Sequence, residues 1–286
     1  MELLEQIPIP LEKKTLKQTL SLPLHSFTSS IAPILCACLP CVLLFTLGDF
    51  ALRETLVHFV LRPENTAPSI ADLSISIATF LVSLLLALYL FSLSYTLVIS
   101  KATSPTAITW KNLTRQTAAR FTRLLPAYGF TVLVGIITLP VFFYSYIPLF
   151  LFLFIYLIKK EAGQKKSTFK EALKEGFRTG SRYWARFFGA FFIMVVLALL
   201  CIFISGIPYL LVSLANQTAS VYAAQSGIEE DLLPGYYPVL FFFCSLLKNL
   251  VYCLACLYAT TGGFYYILSQ LARQGAHPSP KEGMPA

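Results

Sequence analysis

Long runs without a charged residue constrain this chain more than any other feature of its sequence. One such run extends from Leu124 to Ile158 without an Asp, Glu, Lys or Arg, and further apolar runs occupy 74–100 and 187–212. A helix of about 20 apolar residues can cross a hydrocarbon core about 30 Å thick. Because 56% of the residues are hydrophobic and only 13% are charged, the composition lies outside that of soluble domains. The sequence therefore predicts an all-α, polytopic integral membrane protein with about six transmembrane helices and amphipathic interfacial helices.

The predicted spans follow the apolar runs within a membrane domain that covers 31–271. They lie at about 31–48, 74–100, 124–143, 147–158, 187–212 and 242–268. The run from Leu124 to Ile158 is divided because one helix of this length would reach about 52 Å, and because Pro140 and Pro148 favour a turn between two shorter spans. Cytoplasmic tails are predicted on either side, at 1–30 with a short helix on the membrane surface and at 272–286 as a disordered segment.

The distribution of basic residues predicts the orientation. Nine of the 22 Lys and Arg residues lie between Lys159 and Arg186, whereas the stretch 213–237 contains three acids and no Lys or Arg. Short loops rich in Lys and Arg remain on the cytoplasmic side of a membrane. We therefore expect a multi-pass protein of a bacterial cytoplasmic membrane, with both termini in the cytoplasm.

Two basic segments, at about 105–123 and 168–186, are predicted to form amphipathic helices at the inner membrane surface. Their cations are candidate contacts for anionic lipid or for a protein partner: Lys170, Lys174, Arg178, Arg182, Arg115, Arg120 and Arg123. A surface helix that only stabilises the fold would show the same pattern. The net charge of +8 does not require nucleic acid, because the cations cluster beside apolar runs, where topology and anionic headgroups explain them. We expect membrane lipids as partners, a protein partner at 168–186 as a further option, and no nucleic acid.

The sequence offers no catalytic constellation. Its three histidines lie outside the predicted spans, and it contains no H-E-x-x-H motif, no Gly-rich phosphate loop and no paired carboxylates. The seven cysteines lie in or beside apolar runs, where packing is the expected role, although a metal site formed by several of them stays open. We therefore expect no enzyme activity, no catalytic or metal-binding residues and no cofactor.

Lys248 is the only charged residue in the last apolar run, from Pro238 to Leu271, and is the candidate intramembrane functional residue. Charged groups at membrane depth are costly and tend to persist for function. If the last span begins at Pro238, Lys248 lies deep. If it begins at Asn249, the amine lies at the outer interface and the side chain snorkels. We favour the interface, because the residues from Asn249 to Leu268 are already long enough to cross.

The order of short motifs resembles that of a known group of membrane domains. An apolar hairpin with Pro140 is followed by Glu161, by Glu171-Ala172-Leu173 and by an Arg-rich helix with Trp184, and the last span closes as GFYYILSQLARQG. This order is similar to that of the membrane domain of bacterial glycerophosphodiester phosphodiesterases and of related six-span families. Those enzymes carry catalysis in a separate soluble domain, so the resemblance implies a membrane fold and no activity. The usual Pro-Gly pair is replaced here by Pro140-Val141.

A second resemblance concerns possible docking residues. Glu171, Ala172 and Gly176 are similar to the Glu-Ala-Ala loop of ABC-importer permeases, which docks on an ATPase. The third residue is Leu173 here, Gly176 comes one position early and the downstream Pro is missing. This resemblance implies an alternative function as a permease subunit that works with a separate ATPase. Our leading expectation is a non-enzymatic membrane protein that organises lipids or a protein partner through its basic cytoplasmic helices.

Overall fold

The computed structural model describes six stretches of the chain, and they are helical. The described residues are 16–60, 70–103, 108–138, 142–161, 168–226 and 233–275. Within them there is no β-strand. The helices are α1 (Leu16–Thr28), α2 (Ile31–Val60), α3 (Ile70–Thr103), α4 (Trp110–Ile137), α5 (Phe142–Glu161), α6 (Thr168–Arg182), α7 (Trp184–Ser226) and α8 (Tyr237–Gly275). Most of the two predicted tails, at 1–15 and 276–286, lies outside the described residues.

Five of these helices are long and apolar enough to cross a membrane. The segments are Ile31–Ala51 of α2, Leu73–Lys101 of α3, Trp110–Ile137 of α4, Trp184–Ala223 of α7 and Tyr237–Gln270 of α8. The remaining predicted span, at 147–158, corresponds to α5, which is uncharged up to Ile158 and then ends with Lys159, Lys160 and Glu161. The prediction of an all-α polytopic membrane protein is therefore confirmed, with five spanning segments among the described residues where six spans were predicted.

The uncharged run from Leu124 to Ile158 is shared between α4 and α5. The first helix ends at Ile137 and the second begins at Phe142. Pro140 lies between the two helices in the sequence, and the residue before a proline is disfavoured in helical conformation. The hydroxyl oxygens of Thr138 and Ser145 lie 3.0 Å apart and join the two ends.

Three helix boundaries differ from the predicted ones. Because α4 begins at Trp110, the predicted interfacial helix and the span after it form one helix. The predicted basic helix at 168–186 is instead interrupted at Tyr183, between α6 and α7. Helix α7 continues to Ser226 rather than ending near 212, since 213–226 contains neither Gly nor Pro to stop it.

The described chain divides into two compact units. The first contains the described residues up to Ile34, Phe91–Val196 and those from Leu257 onward; the second contains Leu35–Leu90 and Leu197–Cys256.

The core of the first unit is aromatic. The ring of Phe264 lies edge-on to that of Phe91 at 5.0 Å and stacks on that of Phe154 at 5.1 Å. Gly263 leaves room for a further ring, because a Cβ there would lie 2.6 Å from Cζ of Phe191. The second unit is held partly by edge-on ring contacts between α2 and α8, as between Phe50 and Phe241 at 5.0 Å.

Candidate functional site

Small residues bring the basic helix α6 against the apolar helix α5. A Cβ at Gly176 would lie 2.8 Å from Cα of Phe152, and a Cβ at Gly180 would lie 2.8 Å from Cα of Pro148. Ala172 is fully buried. Residues spaced by four share one face of a helix, so Ala172, Gly176 and Gly180 form a small-residue face. Such faces let two helix backbones approach closely in membrane proteins.

The four predicted cations of α6 also repeat every four residues, but two positions away from the small-residue face. Two residues are about 200° apart around a helix, so this cationic stripe lies on the side of α6 opposite α5. It consists of Lys170, Lys174, Arg178 and Arg182, all of which are exposed. None of them forms an ion pair with another described residue, and the Arg182 guanidinium lies 5.6 Å from the centroid of the Tyr183 ring. Within the described part of the chain, the stripe therefore presents four charges without an ion-pair partner on one side of the helix.

The acids of α6 are turned toward α5 instead. The buried Lys159 Nζ lies 3.0 Å from Glu175 Oε2 and 3.5 Å from Glu171 Oε2. Glu171, a predicted docking residue, is thus paired within the protein. Gly176, the other predicted docking residue, is covered by the backbone of Phe152.

The three predicted cations of α4 do not have the same surroundings. Arg115 and Arg123 are exposed. Arg120 is turned inward, with its side chain 12% exposed and its Nε donating to Glu161 Oε1 at 2.6 Å. It also donates to Thr96 Oγ1 at 3.1 Å. The Arg120 side chain therefore links α3, α4 and α5, and its charge is not exposed on the surface as those of Arg115 and Arg123 are.

Lys248 belongs to a polar cluster that links α2 and α8. Its Nζ donates to Asp49 Oδ2 at 2.7 Å, and Asn249 Nδ2 donates to the same oxygen at 2.8 Å. The Ser245 hydroxyl is a third donor to Asp49 Oδ2. Asn249 also donates to Thr46 Oγ1 at 3.2 Å. We refer to Thr46, Asp49, Ser245, Lys248 and Asn249 as the polar cluster.

The ion pair at the centre of this cluster is largely removed from solvent. The side chains of Lys248 and Asp49 are 20% and 17% exposed. The ammonium also lies 3.7 Å from the centroid of the Tyr209 ring, a distance at which a cation is attracted by the aromatic face. Partly buried charges of opposite sign that share several hydrogen-bond donors can persist in an apolar environment, whereas either charge alone would be costly.

Sequence reasoning identified Lys248 but missed its partner. Asp49 directly follows the predicted first span at 31–48 and was not predicted as a functional residue, although it lies within the spanning segment Ile31–Ala51. A usable signal was present, because a single acid at the edge of one apolar run and a single cation inside another favour pairing at membrane depth.

Some of the cysteines are packed inside the second unit, whereas Cys36 and Cys201 are exposed. Cys38, Cys41 and Cys253 are buried. Among the residues that the structure describes, no group of three or more His, Cys, Asp or Glu side chains is arranged to hold a metal ion. The resemblances to phosphodiesterase membrane domains and to ABC-importer permeases stay predictions. No protein-family model, no curated protein and no solved structure matches this chain, so its function has to be inferred from these residues.

Proposed function

We propose that this is a non-enzymatic protein of a bacterial cytoplasmic membrane, with both termini in the cytoplasm, that holds anionic lipids against the cationic stripe of α6. The observation that carries the proposal is the division of α6 into two opposite faces. Its small-residue face packs against α5, while the four cations of the stripe are exposed and unpaired among the described residues.

The charge balance of α6 supports lipid contact. Glu171 and Glu175 are engaged by Lys159 of α5, so they offset the stripe less than two free acids would. A Lys or Arg near an anionic membrane surface contributes about 1 kcal/mol of attraction. Four such residues together contribute up to roughly 4 kcal/mol, which is less at high salt because exposed charges are screened. This is enough to enrich anionic lipid around α6.

The alternative function as a permease subunit has less support. Docking through the predicted loop would require Glu171 and Gly176 to face a partner. Glu171 is paired with Lys159, although its side chain is half exposed, and Gly176 is covered by α5. A partner that binds the cationic stripe itself remains compatible with these contacts.

The test is a comparison of retained lipid. The variant K170Q/K174Q/R178Q/R182Q and the unmodified protein are reconstituted in vesicles with equal amounts of phosphatidylglycerol and phosphatidylcholine, and then repurified in mild detergent. Mass spectrometry gives the ratio of the two lipids that stay bound. We expect the ratio to fall severalfold in the Gln variant, because the attraction to the anionic headgroup is lost.

The matched control is K170R/K174R/R178K/R182K, which keeps four positive charges and should keep the ratio. An unchanged ratio in the Gln variant would refute lipid binding by the stripe. Crosslinking from α6 in native membranes tests the alternative that α6 binds a protein partner. A crosslinked ATPase together with an unchanged lipid ratio would favour the permease.

A further inference from the structure

A half-open cavity of about 340 Å³ lies beside the polar cluster, between α2 and α3, and some of its lining residues, such as Leu47 and Val82, are exposed. This volume falls within the range of about 300–1,000 Å³ that is typical of small-ligand sites. Its polar lining residues are Asp49, Thr79 and Ser83, and the remaining lining is Gly, Ala, Leu, Val and Phe. A ligand that fits this cavity must therefore be mostly apolar, and its polar group can contact only these three polar residues.

The two hydroxyl groups in the lining can accept hydrogen bonds but have already used their donors. Thr79 Oγ1 donates to the carbonyl oxygen of Ile75 at 2.8 Å, and Ser83 Oγ donates to that of Thr79 at 2.8 Å. A hydroxyl has one hydrogen to donate and two lone pairs to accept. Both oxygens thus remain available as acceptors only.

Asp49 supplies a further acceptor with negative charge. Its Oδ2 receives the three hydrogen bonds from Lys248, Asn249 and Ser245. Its Oδ1 takes part in no hydrogen bond with the described residues, and an ionised carboxylate offers lone pairs on both oxygens. Every polar group that the cavity offers is therefore an acceptor.

We infer that this cavity binds the ammonium group of a small amphiphilic amine, with Asp49 Oδ1 as its main acceptor and the apolar lining around its hydrocarbon part. A hydrogen bond to a charged group is stronger than one between neutral groups, and a ligand that brings donors matches a site that has only acceptors. An ammonium head on an apolar body occurs in free lipophilic amines and in the headgroup of phosphatidylethanolamine. This site is distinct from the cationic stripe, whose ligands are anionic.

Lys248 regulates the affinity of this site. Its ammonium shares the Asp49 carboxylate with the ligand and carries a charge of the same sign, so it weakens binding of a second cation. Removing the charge of Lys248 should therefore tighten binding, whereas removing the charge of Asp49 should weaken it. Opposite effects from two residues in contact are not expected if the cavity binds amines only through its apolar walls.

The experiment measures binding of tritium-labelled 4-phenylbutylamine to the full chain in nanodiscs of phosphatidylcholine and phosphatidylglycerol. The neutral alcohol 4-phenylbutanol is the matched competitor. Four variants are compared with the unmodified protein: K248Q, D49N, D49N/K248Q and A78L. The last one fills the cavity without altering the polar cluster, and thermal unfolding in the same nanodiscs verifies that each variant is folded.

We expect saturable binding that the alcohol does not displace, a Kd about tenfold lower in K248Q, and a Kd about 10- to 100-fold higher in D49N/K248Q than in K248Q. A78L should abolish saturable binding. The pair K248Q and D49N/K248Q decides the matter even if D49N alone fails to fold, because the two variants differ only in the carboxylate.

Substituting phosphatidylethanolamine for phosphatidylcholine distinguishes the two sources of the ligand. A severalfold weaker apparent affinity for the probe means that the lipid headgroup occupies the site, and an unchanged affinity points to a free amine. Absence of saturable binding to the unmodified protein overturns the inference. So does equal binding to K248Q and D49N/K248Q, or binding that A78L leaves intact.

Discussion

Replacing Gly176 by Ala should separate α6 from α5, although alanine is the better helix former. The added Cβ would lie 2.8 Å from both Cα and N of Phe152, whereas carbon atoms pack favourably at about 3.5–4.0 Å. The obstructing atoms belong to the backbone, so α6 has to move by about 0.7 Å or more. That movement would also disturb the contact of Gly180 with Pro148.

The magnitude follows from two opposing terms. Overpacking of a tight contact costs about 1–3 kcal/mol, while the change from Gly to Ala within a helix contributes about 1 kcal/mol of stability. Gly189 of α7 is a matched control, because a Cβ there would meet no other atom within 4 Å. Since both variants gain the same helix propensity, G176A should be less stable than G189A by about 1–3 kcal/mol.

The assay is thermal unfolding of the full chain in one detergent, monitored by the helical signal in circular dichroism. We expect G176A to unfold at least about 2 °C below G189A, and G189A to match or exceed the unmodified protein. Equal unfolding temperatures for the two variants would show that α6 does not depend on close backbone contact with α5. The opposite-face argument for the cationic stripe would then lose its basis.

Three further outcomes follow from the ion pairs and from the orientation. R120Q and E161Q should each destabilise the protein, and the double variant R120Q/E161Q should be destabilised by less than the sum of the two single effects. A double-mutant cycle of unfolding temperatures measures this difference, and strict additivity would contradict the pairing. For the polar cluster, D49N should be less stable than D49N/K248Q, because the single change leaves a partly buried charge unpaired, and the reverse order of melting temperatures would refute that reasoning. A cysteine replacing Ser226 should react with a membrane-impermeant maleimide in intact cells, above the background of the native cysteines, and reaction only after lysis would invert the predicted orientation.

The class of protein could be predicted from sequence because it depends on sums over long segments. Apolar runs and the positions of Lys and Arg are visible in one dimension, and they lead to an all-α membrane protein. Helix ends were less predictable. The end of α7 was placed too early because loss of hydrophobicity was equated with loss of helix, yet the polar stretch after Val212 has no Gly or Pro before Gly227.

Roles of single residues were harder to predict because they depend on which helices meet. Arg115, Arg120 and Arg123 are equivalent in a linear pattern, but only Arg120 reaches Glu161, which lies on another helix. Gly176 and Gly180 both fall within the predicted basic helix at 168–186, but only the structure shows that both contact α5. In each case, the missing information was the partner helix.

The two acids of α6 that pair with Lys159 allow a last test of the cationic stripe that leaves the stripe itself unchanged. Replacing Lys159 by Gln removes the ion-pair partner of Glu175 and one partner of Glu171, and these acids lie three residues before Arg178 and Lys174, respectively. Acids and bases at this spacing attract each other by about 0.2–0.5 kcal/mol per pair.

The K159Q variant should therefore retain about twofold less phosphatidylglycerol relative to phosphatidylcholine than the unmodified protein. K160Q is the matched control, because Lys160 is the exposed neighbour and forms no ion pair with a described residue. It removes the same charge but frees no acid, so its effect on the lipid ratio should be smaller. Equal ratios for K159Q and K160Q would mean that only total charge matters, and that the pairing between α5 and α6 has no influence on what the stripe binds.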